Sequence, residues 1–310
     1  MIKKRILIFL LFFYFVSVKS QVNFSHDAGV YNTPFYLKIA YPDEATLYYH
    51  DIHVDQRKKI FSDSLLINRT TTIFFELNND GELINLYNKT YFLDFQTNFN
   101  IVSLTIPNNS LFNRTSGIYV DGPNAYYDST ISKINGCVSM SNSNYLKKIE
   151  REVYVEVFDE SGLRIINQSA GLRIFGGLTR YYPEKSLKIV ARKKYGKSRM
   201  KANIFKKGIK KYKQFVLRHS GQDYKKTRFK DVLSTNLASK SFVDVQASVP
   251  SHLFVNTEYW GVYNIREKIN KHYINNNYGV DEIDLLKGKN TVEEGNSKRY
   301  KELLNFFSNS

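Results

Sequence analysis

Two adjacent glycines, Gly176 and Gly177, lie between two apolar segments that predict β-strands at 171–175 and 186–190. Glycine lets backbone N–H groups approach a bound anion closely, because no side chain stands in the way. Three cations follow this glycine loop, namely Arg180, Lys185 and Lys188. Guanidinium and ammonium groups beside backbone N–H groups bind phosphate well. The spacing therefore predicts a phosphate cradle, although paired glycines also form ordinary hairpin turns.

A second candidate region surrounds Trp260, the only tryptophan of the chain. Two apolar runs flank a short turn at 256–258 and predict a hairpin, and the second run ends in the charged residues 266–268. Beyond them, Ile269 and Tyr273 are spaced four apart, which predicts a switch from strand to helix. Ligands often bind where such a polar segment leaves a buried sheet. The alternative is an ordinary hairpin with a solvated end, in which the tryptophan only packs the sheet.

The elements that must position these residues are mostly strands. Short apolar runs separated by turns predict a small β-sandwich over residues 21–96, followed by a connector with one strand and a long polar loop over residues 97–150. Longer strands are then predicted at 153–158, 163–167, 171–175, 186–190, 200–205, 215–218, 253–256 and 259–266. The strongest helix pattern before the end spans 225–240, where apolar residues recur at helical spacing among Lys and Arg. The pattern predicts an α+β protein.

The amino terminus predicts export. A basic start at 3–5 precedes an apolar run over 6–18, and Ser20 follows, which is typical of a secretory signal peptide over residues 1–20. The run is too short to span a membrane comfortably, so no transmembrane segment is expected after the signal is removed. Cys137 is the only cysteine, which excludes an intramolecular disulfide. The histidines are scattered, so no metal site is predicted.

The positive charge of the chain is concentrated in one segment. The formal net charge is +16, and between Lys185 and Lys230 there are eighteen Lys or Arg residues and one acid, Asp223. Such a field attracts phosphates, acidic polymers or an anionic membrane surface. Nucleic acid is disfavoured as a partner, because the chain carries an export signal and no nucleic-acid-binding motif.

The order of these elements has the layout of a kinase amino-terminal lobe: a glycine-rich hairpin, a lysine on the next strand, a helix, and a hairpin with a polar exit. Residues 176–180, 183–186 and 258–268 resemble the signature blocks of the CotH kinase family, which are secreted atypical kinases. The likeness covers about residues 100–307. It implies an atypical kinase-like lobe, a mostly antiparallel sheet plus a helix, within residues 151–310.

The resemblance also implies roles for individual residues. The glycine loop and Arg180 would cover the phosphates of ATP, and Lys185 would be the strand lysine that steadies them, with Lys188 as the second choice. Glu267 matches the glutamate at the start of the link between the two kinase lobes. ATP and Mg²⁺ are implied as cofactors.

The predicted sandwich has its own resemblance. The sequence around 24–35 is similar to the Ig-like domain of the chitobiase carboxy-terminal type, which is appended to secreted enzymes. The similarity breaks down at 51–59, so we expect a spacer or packing module rather than a carbohydrate-binding domain.

The catalytic and metal-binding aspartates of such kinases are expected in a second lobe. No acid after Glu267 lies in a block that resembles that lobe, so we expect the catalytic residues beyond Ser310 and the second lobe to be truncated here. The resulting hypothesis is a protein of the secreted or periplasmic space or the cell envelope that transfers phosphate from ATP to serine or threonine of exported proteins. The alternative is a non-enzymatic surface or adhesion protein whose sandwich and basic face bind an envelope polymer.

Overall fold

The computed structural model describes residues 22–53, 57–288 and 291–308. The predicted signal peptide lies outside these residues. Strands and helices are both present and strands dominate, so the prediction of an α+β protein is confirmed.

Two packed sheets form the amino-terminal β-sandwich. Its strands are β1 (Asn23–Phe24), β2 (Gly29–Tyr31), β3 (Phe35–Ala40), β4 (Thr46–Asp51), β5 (Lys59–Ile60), β6 (Ser64–Ile67), β7 (Thr71–Asn79) and β8 (Glu82–Leu93). One sheet has the order β1-β3-β6 and the other the order β2-β8-β7-β4-β5. Leu37 of the first sheet and Phe75 and Tyr91 of the second are completely buried in one shared core. This shared core is what holds two sheets together face to face.

The next segment contains one long strand and several short elements. They are β9 (Asn100–Thr105), α1 (Asn108–Phe112), β10 (Tyr126–Tyr127), α2 (Ser129–Asn135) and β11 (Met140–Ser141). Helix α2 begins where the Asp128 carboxylate accepts a hydrogen bond from the backbone N–H of Ile131, at 2.9 Å. It ends at Gly136, whose φ of 65° is left-handed. Both are common helix-capping arrangements, and they give this polar loop local order.

The remaining chain supplies a barrel and its flanking elements. They are β12 (Arg151–Phe158), β13 (Arg164–Phe175), β14 (Ser186–Val190), β15 (Gln214–Arg218), α3 (Lys230–Ala238), β16 (Ser248–Val255), β17 (Glu258–Arg266), α4 (Lys271–Tyr278), β18 (Leu285–Lys287), β19 (Thr291–Glu294) and α5 (Lys298–Ser308). The closed barrel has the strand order β12-β13-β14-β15-β17-β16-β9.

Strand β9 closes this barrel, although it lies within the segment predicted as a connector. It pairs antiparallel with β12 and parallel with β16, where Ser251 is opposite Asn100 and Val255 is opposite Leu104. Every second residue of the barrel strands points inward, as the two-residue period of a strand requires. Leu187 and Ile189 of β14 are examples, and both are buried in the barrel core.

Two of the predicted elements differ from the structure in extent. The separate strands at 163–167 and 171–175 are one continuous strand, β13. The helix predicted over 225–240 is confined to α3, and two of its apolar residues, Leu233 and Leu237, are exposed. The helix is fixed through Asp231 instead, whose carboxylate accepts from Arg218 of β15 at 2.7 Å and from Arg266 of β17.

The strand predicted over 200–205 was wrong. Met200 makes only an isolated bridge to Tyr212, and left-handed φ values at Lys206 and Gly208 turn the chain shortly afterwards. The apolar pattern that suggested a strand has another cause. Met200, Ile204 and Phe205 are buried side chains of the barrel core contributed by an irregular segment.

Aromatic side chains join the sandwich to the barrel. Phe92 of β8 is completely buried, and its ring lies 5.4 Å from Phe158 and 4.8 Å from Phe254 of the barrel. Nearby, the buried Glu156 carboxylate accepts hydrogen bonds from Thr90 of the sandwich and from Arg164, the latter at 2.7 Å. The two parts therefore share an apolar cluster and several polar contacts.

This junction predicts that the two parts unfold together. Replacing Phe92 with alanine removes a completely buried ring and should lower the free energy of unfolding by about 3–5 kcal/mol. Leu83→Ala, on the exposed end of the same strand, should change it by less than about 1 kcal/mol. Urea denaturation followed by tyrosine and tryptophan fluorescence measures both. Separate transitions for the two parts in the unmodified chain would contradict this prediction.

Candidate functional site

The glycine loop connects β13 to β14, as the sequence predicted. Gly176 has a φ of 123°, and a Cβ atom there would lie 2.6 Å from the hydroxyl oxygen of Thr179, so this position requires glycine. A Cβ atom on Gly177 would meet nothing within 4 Å. A short 3₁₀ turn, Leu178–Tyr181, follows the two glycines. The loop is thus a tight turn at the end of β13, with open space beside Gly177.

Arg180 lies in this turn, but its guanidinium is already bonded. It donates to the backbone carbonyl of Leu146 at 2.7 Å and to that of Gly177 at 3.4 Å. The side chain therefore ties the glycine loop to the polar segment before β12. This contact fixes where the loop lies over the barrel.

Lys185 is enclosed at the end of the loop. Its side chain is buried, and its ammonium donates to the backbone carbonyl of Tyr182 at 2.6 Å. The ammonium also lies 4.2 Å from the ring centre of Tyr145 and 5.2 Å from that of Tyr119. Burial lowers the pKa of Lys185 to about 8. No carboxylate among the described residues forms an ion pair with it, although the charge of Asp121 partly offsets the effect of burial. The Tyr182 carbonyl and the two aromatic rings are its direct partners.

The start of β14 is locked by a second buried contact. The hydroxyl of Ser186 lies 2.6 Å from Nδ1 of His219, a completely buried histidine just after β15. Burial, and then the positive charges of Arg218, Arg228 and Lys185, lower the pKa of His219 to about 4. The imidazole is therefore neutral at pH 7.

Lys188 lies on the opposite side of β14 from the barrel core. Its neighbours in β14, Leu187 and Ile189, point inward, so Lys188 points outward beside Arg173 of β13, its partner in the ladder. Burial lowers the pKa of Lys188, and the charges of Arg173 and Lys268 lower it further. Its ammonium makes no hydrogen bond or ion pair with any other described residue. It is a partly buried cation without a direct hydrogen-bond or ion-pair partner among the described residues.

A cavity of about 260 Å³ opens at this outer face. Its lining includes four cationic side chains, those of Lys188, Arg192, Lys213 and Lys268. We call this group the outer cation cluster. Glu293 and Glu294 also line the cavity, and Glu150 nearby accepts hydrogen bonds from Arg173 and Arg192 at 2.8 Å each. These acids balance only part of the positive charge.

The outer cation cluster reaches toward the glycine loop. The Lys268 ammonium lies 5.9 Å from the ring centre of Phe175, the residue directly before Gly176. Phe175, Arg173 and Lys188 share one face of the β13–β14 pair, because side chains alternate along a strand. The structure therefore places Lys188 and the glycine loop along the same sheet face, and Lys185 in a separate aromatic cage.

Glu267 lies elsewhere. It follows β17 directly, is almost completely buried, and accepts hydrogen bonds from the Lys207 ammonium and from the backbone N–H of Ala247, both at 3.0 Å. No contact joins it to the glycine loop in the part of the chain that the structure describes. Of the predicted site residues, the structure thus groups Gly176, Gly177 and Arg180 in one loop, and separates Glu267 from them.

Sequence reasoning missed Arg192, Lys213 and Lys268 as neighbours of Lys188. One signal was present, because Lys188 and Arg192 are four apart and fall on the same face of an extended segment. Lys213 directly precedes β15 and Lys268 follows β17, and only the barrel pairing brings them close to Lys188.

The family model described as CotH kinase protein matches residues 172–307, from β13 to α5. This part of the chain is therefore similar to the CotH kinase family. The matched region contains the glycine loop, Lys185, Lys188 and Glu267. No curated protein matched the chain.

No helix within the described ranges is both long enough and apolar enough to cross a membrane. Nor do the described residues include a group of three or more His, Cys, Asp or Glu side chains that could hold a metal ion.

The neutral His219 predicts a particular pH dependence of stability. Its folded pKa of about 4 lies below its ordinary value of 6.5, so below pH 6.5 the unfolded chain binds a proton that the folded chain does not. Its contribution to stability is complete above pH 6.5 and is lost as the pH falls to 4, by about 3 kcal/mol. In His219→Gln, urea unfolding should show a shallower loss of stability over this range. Equal slopes for the two proteins would contradict a neutral buried histidine.

Proposed function

We propose that the outer face of β13 and β14 binds the phosphates of ATP, with the Lys188 ammonium as the central contact. The observation that carries this proposal is the lone ammonium of Lys188, partly buried beside further cations. Holding an ammonium in such a place without a direct ion-pair partner costs free energy, and a bound phosphate would recover it. Phosphate oxygens also accept strong charge-assisted hydrogen bonds from ammonium and guanidinium groups.

The glycine loop would complete the phosphate site. It follows Phe175 at the end of this sheet face, and Gly177 has open space around its Cα atom. Backbone N–H groups at such a loop can approach an anion without obstruction. Arg180 contributes indirectly, because its hydrogen bond to the carbonyl of Leu146 holds the loop in place.

Lys188 is a better candidate than Lys185 for the phosphate contact. The sequence favoured Lys185, but its ammonium is already bonded to the carbonyl of Tyr182 and enclosed by two tyrosine rings. Using it for ATP would require breaking that contact. We assign Lys185 to anchoring the loop end, and Glu267, with its partner Lys207, to anchoring the segment after β17.

The CotH kinase family supports a wider proposal. We propose that the protein is exported by its predicted signal peptide and that it serves phosphate transfer from ATP to serine or threonine of exported proteins. Mg²⁺ accompanies ATP in such reactions. Because the described residues contain no cluster of metal ligands, we assign no step to the metal ion and confine the role of these residues to holding the nucleotide.

A second candidate function is binding of an acidic envelope polymer. Several lysines of the basic segment are exposed and lack an ion pair to any described residue, namely Lys193, Lys197, Lys201, Lys210 and Lys211. Such a surface attracts polyanions non-specifically and loses them as salt increases. ATP binding at a compact site should depend strongly on Lys188 alone. Polymer binding by the basic surface should instead depend weakly on each of many lysines.

This distinction predicts different effects for three matched lysine variants. Lys188→Met should weaken ATP binding about 10- to 100-fold, the loss expected for one charge-assisted contact. Lys185→Met and Lys210→Met should bind ATP nearly as well as the unmodified chain. Isothermal titration calorimetry with ATP and Mg²⁺ measures all three, after circular dichroism has shown that each variant is folded.

Two results would contradict the assignment. A selective loss in Lys185→Met would return the phosphate contact to that residue. Equal, modest losses in Lys188→Met and Lys210→Met, both removed by salt, would favour the polymer-binding surface.

A further inference from the structure

A second, chemically different groove lies where the sandwich meets the barrel. Its volume is about 710 Å³, within the usual range of small-ligand sites. Its walls come from β4 and β7 of the sandwich, from α1, and from the β16–β17 hairpin. We call it the interdomain groove. The proposed ATP site does not use it.

Aromatic side chains form two of its walls. The Trp260 ring lies 6.3 Å from Phe112 and 5.2 Å from Tyr119, which hold it in place. On the sandwich side, His50 stacks on Phe74 at 4.5 Å with the ring planes only 5° apart. Burial lowers the pKa of His50, so this stacked imidazole is neutral at pH 7. Flat, uncharged surfaces therefore stand on both sides of the groove.

Polar groups lie beside these rings. The Asn256 side chain accepts from the backbone N–H of Ile106 at 2.8 Å and donates to Oδ1 of Asn108 at 2.9 Å. This fixes Asn108 and leaves its amide nitrogen without a partner among the described residues. The carboxylate of Glu258 is exposed and likewise has no ion-pair partner among them. The groove thus offers a free amide donor and a free carboxylate acceptor.

The charge of the groove is opposite to that of the chain. Although the chain carries a net charge of +16, no lysine or arginine lines this groove. Its charged lining groups are Asp51, which accepts from Arg69 at 3.2 Å, and the unpaired Glu258. A phosphate or another anion would meet the Glu258 carboxylate and no lysine or arginine of the lining, so anionic ligands are disfavoured.

We propose that the interdomain groove binds a neutral saccharide. A sugar ring presents C–H faces that pack on aromatic rings, and pairs of hydroxyl groups that bond to amides and carboxylates. The groove supplies both kinds of surface and lacks the cations that a charged ligand would need. Because Trp260 and Asn108 are already held by their neighbours, little ordering is required when a ligand binds.

The single tryptophan makes this proposal directly measurable. Trp260 fluorescence should change in a saturable way when the chain is titrated with at least one of three neutral tetrasaccharides: β-1,4-linked glucose, α-1,4-linked glucose or β-1,4-linked N-acetylglucosamine. We expect a Kd on the order of 0.1–1 mM that depends little on salt. Calorimetry on the same samples provides a readout independent of fluorescence.

Matched variants locate the binding. Phe112→Ala and Glu258→Gln, both at exposed side chains, should each raise the Kd by about fivefold or more. Tyr126→Ala, which removes an exposed aromatic ring that does not line the groove, should leave the Kd unchanged. A glucuronate tetrasaccharide should bind more weakly than a neutral one, because it meets Glu258.

Three outcomes would overturn the proposal. The first is the absence of saturable binding, by fluorescence and calorimetry, for all three neutral tetrasaccharides up to on the order of 10 mM. The second is binding that neither groove variant weakens. The third is binding of tetralysine with no binding of the sugars, which would assign the groove to basic peptides instead.

Discussion

The parallel pairing of β9 with β16 is the contact on which the rest of the molecule depends. Strand β9 follows the sandwich directly, and its pairing with both β12 and β16 closes a seven-stranded barrel. A closed sheet has no free edges and fixes the direction of every strand around it. Closure therefore sets the outer face of β13 and β14, where Lys188 lies. It also brings the sandwich against the β16–β17 hairpin, and so creates the interdomain groove.

Two lysines three residues apart show how differently one chain can place a cation. Lys185 is buried, yet its ammonium has a carbonyl and two aromatic rings as partners that compensate for the loss of water. Lys188 is less deeply buried, but several cations lie nearby and its ammonium has no hydrogen-bond or ion-pair partner among the described residues. The contacts of Lys185 stabilise the fold. The desolvation of Lys188 without a direct partner is unfavourable, and a bound anion would reduce that free-energy cost. We assign nucleotide binding to Lys188 because its ammonium lacks a direct partner, whereas that of Lys185 already has several.

The sequence predicted local structure better than it predicted assembly. Strands β14, β15 and β17 and the glycine loop were recognisable from alternation and turn residues, because both depend on near neighbours. The segment at 200–205 misled because its buried residues serve the barrel core without pairing as a strand. The role of β9 was also hidden, since a parallel pairing between residues 100 and 251 leaves no local signal.

The candidate sites were likewise predictable only where they depend on residues close together in the sequence. The resemblance to CotH kinases pointed to the glycine loop and to both lysines, and the family comparison agrees with the region. It did not separate the lysines, because burial and partners are properties of the folded chain. The interdomain groove was not visible at all, because His50, Asn108 and Trp260 come from three distant segments.

Hydrogen–deuterium exchange with and without ATP tests the central assignment most directly. If the nucleotide phosphates bind along the outer face of β13 and β14, ATP should slow exchange in 173–178, in 186–192 and in 266–272. The loop around 142–146, which lies against Lys185, should change little. Protection confined to 142–146 and 181–185, with none along β14, would contradict the assignment and place the nucleotide at Lys185.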